Sequence, residues 1–516
     1  MYSTVLLGRS NGLLVLYNYL TNDKQSTHHL DLKEDITAIK YSTKGNLLAV
    51  GTKKGNIWLL DSKSFQVEAS NPFCYSKGPI VQLLFDPKDE YLASSDLDRC
   101  VSVYRLEEGE WDILGRYKCH SKAINQILFG THPDTGSCQL FTIGKDLKLN
   151  NFDLGASSFT EGLKMTSRVN IEQTNIPTCL GILPQSSEEQ FLVVANDAHK
   201  IKLVNIATKM CRKVLTSPNI PDPVSQIFLV KSQLSGRSAE APNYFVFHCG
   251  RYLALSKLPL KGYPTSYMTK QVAAHTLEEL AVTHDGFYCF TRSKAGDPVI
   301  QYSIDVNIVE DYNIEEEDGF ENLISDNRKT YDDLKDFFAY VQIEEGAKVL
   351  HKKIPVESIE KVCRALGFYP TEKEKEDMIN EIKYSKFVIN GNIETEINVD
   401  DLFRLFMNHK PYRGIEISEL QYAINKIKEN QGIPEQDDIP RSKLLQFLKT
   451  EGETFKARDF TKYLSPLFAE EKNDKDEENF NLPADINVDT LLESILKLKE
   501  PQEVKLMKQK SVTFNS

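Results

Sequence analysis

Long apolar runs are missing from this sequence. No stretch of about eighteen or more consecutive apolar residues occurs in it, whereas a membrane-spanning helix needs about twenty. The sequence therefore excludes such a helix. The first twenty residues have no basic segment ahead of their apolar ones, and Arg9, Asn11 and Gly12 interrupt them. This pattern predicts two short strands joined by a turn instead of a signal peptide.

Paired cysteines and an excess of positive charge are missing as well. The nine cysteines are scattered without any C-x-x-C pair, which fits neither a zinc site nor a disulfide framework and indicates free thiols in a reducing compartment. Lys and Arg number 62 against 74 Asp and Glu, for a net charge of −12. Phosphate binding needs a basic face. The expected partners are therefore proteins, with neither nucleic acid nor membrane among them.

A unit of short strands recurs about every forty residues in the first three hundred, a period typical of repeat architectures. Each copy has an alternating apolar strand, a polar turn, a strand of small residues, a tight turn and another alternating strand, which predicts antiparallel β structure. The clear copies are Ile36 to Asp61, Ile80 to Arg105, Ile124 to Asp153 and Thr178 to Asn205. Weaker copies at Gly8 to Tyr17, Val224 to Leu258 and Leu280 to Ile304 bring the number to about seven.

These units resemble WD40 repeats. The segment Asp146–Asp153 keeps both aspartates of the family's third-strand pattern and has Phe152 in the tryptophan position, while Tyr104 and Tyr302 are the aromatics of two other units. The resemblance implies an all-β WD40-type propeller over residues 1–309, with about seven blades. The first blade is incomplete because its opening strands are lacking. Either the last segment closes the ring or the natural start lies elsewhere, and a companion chain could supply a further propeller.

Catalytic and phosphate-binding motifs are absent from the propeller. Neither G-x-x-x-x-G-K-[ST] nor G-x-G-x-x-G occurs. In the WD40 family the histidine at the position of His120 joins a structural hydrogen-bond network with a turn aspartate, here Asp146, and we expect that role. No motif supplies a nucleophile for His120, His275 or His284. The sequence predicts no catalytic residues and no enzyme, and a hydrolase with an unfamiliar site is a distant alternative.

The sequence period changes after residue 310. The acidic run Glu310–Gly319 predicts a solvated linker over 310–329. Beyond it a helical period begins, and Tyr331–Val341 places Leu334, Phe337, Phe338 and Val341 on one face. Thr371 and Glu374 form the capping-box pattern at the start of a later helix.

The helical region resembles calmodulin. The segment Arg364–Glu381 matches the stretch that joins the first two EF-hands of calmodulin, with Leu-Gly, Pro-Thr-Glu and Met-Ile-Asn-Glu in register. The resemblance implies an all-α, calmodulin-like EF-hand domain over residues 330–469. Its helix pairs would keep grooves that hold partner helices.

The calcium loops of this domain are expected to be degenerate. A working loop needs oxygen ligands at positions 1, 3, 5, 7, 9 and 12. Aligned on the hydrophobic residue at position 8, the loops are Ala347–Ser358 around Ile354, Asn390–Asp401 around Ile397, Asn408–Glu419 and Leu448–Asp459. The first has no carboxylate at its early positions, the third has Lys410 and Tyr412 at ligand positions, and the fourth starts with leucine.

The second loop is the weak candidate for a metal site. Its oxygen donors are Asn390, Asn392, Glu394, Asn398 and Asp401. Thr395 stands where a glycine makes the turn, and Asp401 is one methylene shorter than the usual glutamate. We therefore expect no bound metal, calcium included, and no cofactor.

The last stretch, residues 470–516, is charged and predicted to be a flexible tail. Within it, residues 487–499 could form a short amphipathic helix. Such a helix is stable only when it packs on something. It either packs back on the helical domain or docks on a neighbouring protein, and the sequence does not separate these alternatives.

A WD40 array, an acidic linker and a degenerate calmodulin-like domain, together with Phe406–Pro411 and Gly414–Glu419, resemble one family. It is the cilia- and flagella-associated protein 251 family, the WD-repeat and EF-hand subunits of the calmodulin- and spoke-associated complex. The resemblance covers the C-terminal part of that family. It implies a scaffold or adaptor of the ciliary axoneme at the base of radial spoke 3, which supports spoke assembly and motility.

The partners that this family implies are other subunits of the complex, radial spoke 3 components, calmodulin and the doublet microtubule. The expected location is the cytoskeleton of the cilium or flagellum. The alternative function is a calcium-responsive regulator that binds partners through the weak second EF-hand loop.

Overall fold

In a computed structural model of the chain, the described residues are 4–454 and 485–486, apart from gaps at 9–11, 22, 30–33, 69–70, 185–188, 232–242, 264–265, 294–297, 312–315, 345, 347–348, 388–390, 415–416 and 435–436. They form two compact units, Met1–Pro411 and Tyr412–Ser516. None of the helices in this described part is both long and apolar enough to cross a bilayer.

The first unit begins with seven antiparallel sheets, the blades of a propeller. Blades 1 to 4 are built from the following strands: β1 (Thr4–Gly8), β2 (Leu13–Asn18) and β3 (Asp23–His29); β4 (Ile36–Tyr41), β5 (Leu47–Thr52) and β6 (Ile57–Asp61); β7 (Ile80–Phe85), β8 (Tyr91–Asp96), β9 (Cys100–Glu107) and β10 (Glu110–Lys118); β11 (Ile124–Thr131), β12 (Cys138–Gly144), β13 (Lys148–Ser158) and β14 (Gly162–Asn170).

Blades 5 to 7 follow the same meander. Their strands are β15 (Pro177–Ile182), β16 (Phe191–Asn196), β17 (Lys200–Asn205) and β18 (Cys211–Thr216); β19 (Val224–Lys231), β20 (Asn243–Cys249), β21 (Tyr252–Lys257) and β22 (Met268–Gln271); β23 (Glu279–Val282), β24 (Tyr288–Arg292) and β25 (Ile300–Ser303). The predicted seven-bladed propeller is therefore confirmed.

The turn between the second and third strands of a blade has a fixed geometry. In blades 4 and 5 it contains Leu147 and His199, whose φ angles of 66° and 59° lie in the left-handed region. Such a conformation is uncommon for residues other than glycine. The pairings Ile143↔Leu149 and Ala195↔Ile201 flank these turns. The two blades can therefore be compared residue by residue.

The helices follow the last blade. They are α1 (Asn307–Asp311), α2 (Glu316–Asp326), α3 (Arg328–Glu344), α4 (Ile359–Ala365), α5 (Glu372–Lys383) and α6 (Val399–His409) in the first unit, and α7 (Ile417–Asn430) and α8 (Arg441–Thr450) in the second. Short strands β26 (Lys353–Pro355) and β27 (Glu396–Asn398) pair in the first unit, and β28 (Ile439–Pro440) and β29 (Asp485–Ile486) pair in the second.

Helices α3 to α6 and the β26–β27 pair, here called the helical lobe, share one hydrophobic core. On α3 the predicted apolar face is present, with Leu334, Phe338 and Val341 buried and Phe337 partly buried against the same core. The predicted capping box also forms at the start of α5. The Thr371 hydroxyl accepts from the Glu374 amide at 3.2 Å, and the Glu374 carboxylate accepts from the Thr371 amide at 2.9 Å.

Residues 310–329 differ from the solvated acidic linker expected from their charge. Helix α2 lies in this stretch, and Phe320, Leu323 and Ile324 on it pack against the core of the helical lobe. The net acidity of a segment says little about whether its few apolar residues find a partner. Here their i, i+3, i+4 spacing places them on one face of the helix.

Candidate functional site

Three donors of the predicted calcium loop are engaged with protein groups. Glu394 pairs with Lys386 at 3.1 Å. Asn398 caps α6, because its side-chain oxygen accepts from the Asp401 amide at 2.8 Å, and its amide group donates to the Asp401 carboxylate at 2.8 Å. Asn390 lies outside the described residues. The Asn398 amide and the two carboxylates are thus engaged with protein groups.

Within the described ranges no three His, Cys, Asp or Glu side chains are grouped as metal ligands. A calcium ion takes six to eight oxygen ligands at about 2.3–2.6 Å, and the described part of this loop does not present such a set. The absence of a metal remains a prediction.

The alignment of the first two loops agrees with the backbone pairing. Ile354 and Ile397, the residues on which these loops were aligned, are partners in the β26–β27 pair. Both are buried in the core of the helical lobe. The two loops therefore meet side by side in the structure.

The position-8 residues of the predicted third and fourth loops, 415 and 455, lie outside the described residues. Asn408 belongs to α6, and Glu419 lies in the first turn of α7. The pairing in the second unit instead joins Ile439 to Ile486, between α7 and α8 on one side and in the predicted tail on the other.

The second unit has its own small apolar core. Ile424 of α7, Leu444 of α8 and the paired Ile439 and Ile486 are buried together. The predicted helix at 487–499 lies outside the described residues.

The helical lobe packs on the outer strand of blade 5. Helices α5 and α6 both contact β18. The contact continues at the connection between blades 4 and 5, where the Lys373 amide donates to the Gln173 side chain at 3.3 Å. This surface between lobe and propeller is here called the junction.

Blade 4 contains a buried polar network around His120, at the position that corresponds to the junction in blade 5. His120 Nδ1 lies 2.7 Å from Asp146 Oδ1, and His120 Nε2 lies 2.9 Å from both Thr142 Oγ1 and the Asn150 side-chain nitrogen. Burial lowers the pKa of His120, against the effect of Asp146. Because Gly144 allows no Cβ there, His120 approaches to within 2.6 Å of where that atom would be. The arrangement is the structural network that the sequence predicts.

Blade 5 replaces this network with charges. The strand register places Lys202 where blade 4 has Asn150. Glu172, in the connection that leads into blade 5, follows buried Ile171 as His120 follows buried Cys119. Glu172 accepts from Asn196 at 2.9 Å and pairs with Lys202 at 2.9 Å.

The helical lobe completes this charge cluster. Asp377 of α5 lies 3.0 Å from Lys202 Nζ, and Lys373 lies 3.3 Å from the other Asp377 oxygen. The side chains of Lys202, Glu172 and Asp377 are only 5%, 3% and 1% exposed. Burial alone would lower the pKa of Lys202, but the two carboxylates raise it above its ordinary value. Lys202 is therefore charged, and lobe and propeller share its neutralisation.

A second set of hydrogen bonds lies beside the cluster. The Val214 amide of β18 donates to Glu381 of α5 at 2.9 Å, and His409 of α6 lies 2.9 Å from the same carboxylate oxygen. The Thr216 hydroxyl donates to Asn408 at 3.2 Å. The bond from Val214 satisfies a backbone donor on the outer edge of β18, where strand edges otherwise present unpaired backbone groups.

Lys200 is a second buried lysine of the junction. It is 7% exposed and lies with Lys202, Glu374, Asp377 and His409 around a cavity of about 20 Å³. Burial, assisted by Lys410, lowers its pKa to about 7, and Glu374 opposes this shift. The junction therefore holds one lysine that is readily neutral beside one that stays charged.

Helix α2 contacts both parts of the first unit. A Cβ on Gly319 would lie 2.9 Å from the ring of Tyr263, so the helix backbone packs directly on this propeller residue. Its neighbour Phe320 faces the lobe, with its ring 6.4 Å from that of Phe403 and 4.9 Å from the Arg404 guanidinium. Part of the apolar surface of the lobe is thus covered by the chain itself.

Sequence reasoning missed the junction entirely. Glu172, Lys202 and Asp377 are distant in sequence, and each alone has the pattern of a surface charge. The available signal was the lysine at the position that corresponds to Asn150 in blade 4.

The helical region of this chain is similar to a known protein family. Residues 329–496 match the CFAP251 C-terminal domain family. This range starts in α3 and continues past β29, so it includes the paired strands of both units. The resemblance predicted from the sequence is thereby confirmed.

Relatives extend the similarity over the propeller. A Mus musculus protein named cilia- and flagella-associated protein 251 is 31% identical over 84% of this chain and 34% of its own length. Proteins of the same name from Pongo abelii and Tetrahymena thermophila are 29% and 27% identical, each over 90% of this chain and over 41% and 52% of their own lengths. This chain thus spans about a third to a half of the relatives it matches. Their names support the predicted ciliary localisation.

Proposed function

We propose that this chain is a non-enzymatic scaffold of the ciliary axoneme, part of the calmodulin- and spoke-associated complex at the base of radial spoke 3. The observation that carries the proposal is the similarity, over most of the chain, to proteins named cilia- and flagella-associated protein 251. Its partners are other subunits of the complex, spoke components and the doublet microtubule.

The helical regions are proposed to be degenerate EF-hands. The support is the pairing of Ile354 with Ile397 between two helix–loop–helix segments, and a second pairing of Ile439 with Ile486. The metal site at 390–401 is proposed to be inactive, since Glu394 and Asn398 have protein partners.

A permanent adaptor is favoured over a switch by the junction. Lys202 is buried between carboxylates from both sides, and removing one partner of a buried pair is strongly destabilising. Separation of the lobe from the propeller would take Asp377 away from Lys202. The lobe therefore acts as a fixed extension of the disc.

Proximity labelling in intact cilia tests the location. The chain fused to a biotin ligase is expected to label radial-spoke proteins and to remain with axonemes after detergent extraction. A matched fusion of the ligase alone is the control. Recovery of the fusion mainly in the detergent-soluble pool, with no enrichment of spoke proteins, contradicts the proposal.

A further inference from the structure

The turns at one end of blades 2 to 4 contact one another in a row. A Cβ on Gly55, in the turn between β5 and β6, would lie 2.3 Å from the carbonyl oxygen of Ser76, which precedes β7. A Cβ on Gly78 would lie 3.1 Å from the side chain of Asp98, in the turn between β8 and β9. The turn of blade 2 therefore adjoins the segment that enters blade 3, and this segment adjoins the next turn.

The row continues into blade 4. The Arg99 side chain donates to the carbonyl oxygen of Ser121, which precedes β11, at 2.6 Å. The Ser121 amide in turn donates to Asp146, between β12 and β13, at 2.9 Å. Residues 75–78, 97–99, 118–122 and 145–146 thus form one continuous surface, here called the turn surface.

Exposed lysines lie in three of the four segments of the turn surface, and half-buried Arg99 lies in the fourth. The exposed lysines are Lys77, Lys118, Lys122 and Lys145. Among the described residues none of these four forms an ion pair with a carboxylate. Their ammonium groups can therefore pair with the carboxylates of a partner.

Most carboxylates near these lysines already have partners. Asp146 lies 2.7 Å from His120, and buried Asp96 pairs with Arg116 at 2.9 Å. Within the described segments of the turn surface, Asp98 is the one exposed carboxylate. The surface therefore has an excess of positive charge.

The other ends of blades 3 and 4 have the opposite charge. Where β9 meets β10 and β13 meets β14, residues 107–110 and 159–161 contain neither lysine nor arginine and have exposed glutamates at Glu107, Glu108, Glu110 and Glu161. Positive charge is thus concentrated on the turn surface of a chain whose net charge is −12. Such a charge distribution steers a negatively charged partner to this end of the blades.

Two large apolar side chains are exposed on the same surface. Tyr75 is 45% exposed and Leu97 is 61% exposed, and they directly precede Ser76 and Asp98. The Tyr75 ring lies 6.2 Å from the buried ring of Tyr104, so one side of it rests on blade 3. Contact with an apolar side chain of a partner would remove both groups from water.

We propose that the turn surface binds an acidic segment of a partner protein, in which carboxylates flank one apolar side chain. The carboxylates pair with the lysines of the turn surface, and the apolar side chain packs on Tyr75 and Leu97. The inference deepens the proposed function and rests on it in one respect, that a scaffold holds protein partners.

A protein segment fits this surface better than nucleic acid does. Duplex DNA carries one negative charge per about 1.7 Å of its axis, so its phosphates would pass Asp98 as well as the lysines. A peptide can place an uncharged residue opposite Asp98. The exposed glutamates at the other ends of the same blades also repel a polyanion that extends beyond the turn surface.

Fluorescence anisotropy with the full chain and a labelled synthetic peptide tests the proposal. The peptide has a central phenylalanine with three acidic residues on each side. The combined substitutions Lys77→Glu, Lys122→Glu and Lys145→Glu are expected to weaken binding by about tenfold or more, because exposed ion pairs become repulsions. Circular dichroism at 222 nm and tryptophan fluorescence verify that the variant is folded.

The matched control reverses three exposed lysines at the other ends of blades 2 to 4. The combined substitutions Lys63→Glu, Lys88→Glu and Lys164→Glu change the net charge of the chain by the same amount. Binding of the peptide to this variant is expected to change by less than about threefold, because salt screens charges beyond about 8–10 Å.

The apolar contact is tested separately. Leu97→Ser, and a peptide with serine in place of its phenylalanine, are each expected to weaken binding by about threefold or more. The two changes together weaken it little further than either alone, because they remove the same contact.

Equal binding of the peptide by the two triple variants overturns the proposal, as does tighter binding of a single-stranded oligonucleotide of matched charge. Binding that is insensitive to both Leu97→Ser and the serine peptide overturns it too, since it would then depend on charge alone. These results leave the ciliary location untouched, because proximity labelling tests it independently.

Discussion

Lys202 holds the position of Asn150 in blade 4, and this single replacement changes what the blade can bind. An amide at that position hydrogen-bonds to His120, whereas a buried ammonium needs carboxylates. Glu172 supplies one from the propeller and Asp377 the other from α5. Burial raises the pKa of Glu172, although Lys202 opposes the shift. Lys202 therefore has both of these carboxylate partners only when the lobe is docked on the blade.

Asp377→Ala tests this role. The variant removes one of two carboxylates from Lys202, and we expect the free energy of unfolding to fall by about 2 kcal/mol, within the range for charged hydrogen bonds. Urea unfolding followed by circular dichroism at 222 nm measures the change. Glu376→Ala on the exposed side of the same helix, where the side chain is 58% exposed, is the control and should change it by less than about 0.5 kcal/mol. Equal effects of the two substitutions would contradict the role of the cluster.

Lys200 makes the stability of the first unit depend on pH, and its lowered pKa gives the direction of this dependence. Its pKa is about 7 in the folded chain against 10.5 ordinarily. Between pH 7 and 10.5 Lys200 binds more protons in the unfolded chain than in the folded chain. Its contribution to the free energy of unfolding therefore rises with pH, by up to about 1.4 kcal/mol per pH unit. Below pH 7 Lys200 is protonated in both the folded and the unfolded chain, so burying its charge lowers the free energy of unfolding by the full amount.

Lys200→Met should therefore stabilise the first unit most at low pH. The gain over the native chain is expected to shrink by about 2–3 kcal/mol between pH 7 and 9, from the same linkage. Urea unfolding at the two pH values measures it, with exposed Lys118→Met as the control. A gain that does not depend on pH would show that Lys200 is not the titrating group. The groups that face Lys200 are Glu374, Asp377, Lys202, His409 and Lys410, and all remain in the variant.

At the scale of elements, α5 brings Asp377 and Glu381 to the junction. The capping box fixes the residue at which this helix begins. Thr371→Ala is expected to cost about 1 kcal/mol, the usual value for losing an N-cap. Thr371→Ser keeps the hydroxyl and should cost little. Thermal unfolding followed at 222 nm compares the two, and equal losses would contradict the cap.

Helix α2 can be tested through Phe320. Phe320→Ala is expected to destabilise the lobe by about 2 kcal/mol, less than the roughly 3–5 kcal/mol for a fully buried phenylalanine, because this ring is partly exposed. Amide exchange within α2 should accelerate while exchange in β18 stays unchanged. Glu321→Ala on the exposed side serves as the control. Unchanged exchange in α2 would show that Phe320 does not anchor it.

Elements with strong local signals could be predicted from the sequence. The propeller strands, the apolar face of α3 and the Thr371 capping box all follow from short-range patterns, and the structure contains them. Helix α2 and the pairing of Ile439 with Ile486 could not be predicted in this way. The first hides within an acidic run, and the second depends on which of several short loops meet in space.

At the scale of the whole molecule, propeller and helical lobe form one compact unit. Its two tryptophans, Trp58 and Trp111, both lie in the propeller, so their fluorescence reports the disc while circular dichroism at 222 nm is dominated by the helices. The seven-fold repeat was accessible from sequence because it is periodic. The junction was not, because it joins residues about two hundred positions apart through contacts that no local pattern records.

The central claim is that the lobe is fixed to blade 5 irrespective of calcium. Hydrogen exchange of the full chain, measured in α5, α6 and β18 with chelator and with millimolar calcium, tests it most directly. The account predicts identical exchange in the two conditions. Faster exchange of α5 and β18 in calcium, together with slower exchange at residues 391–401, would show a calcium switch and contradict it.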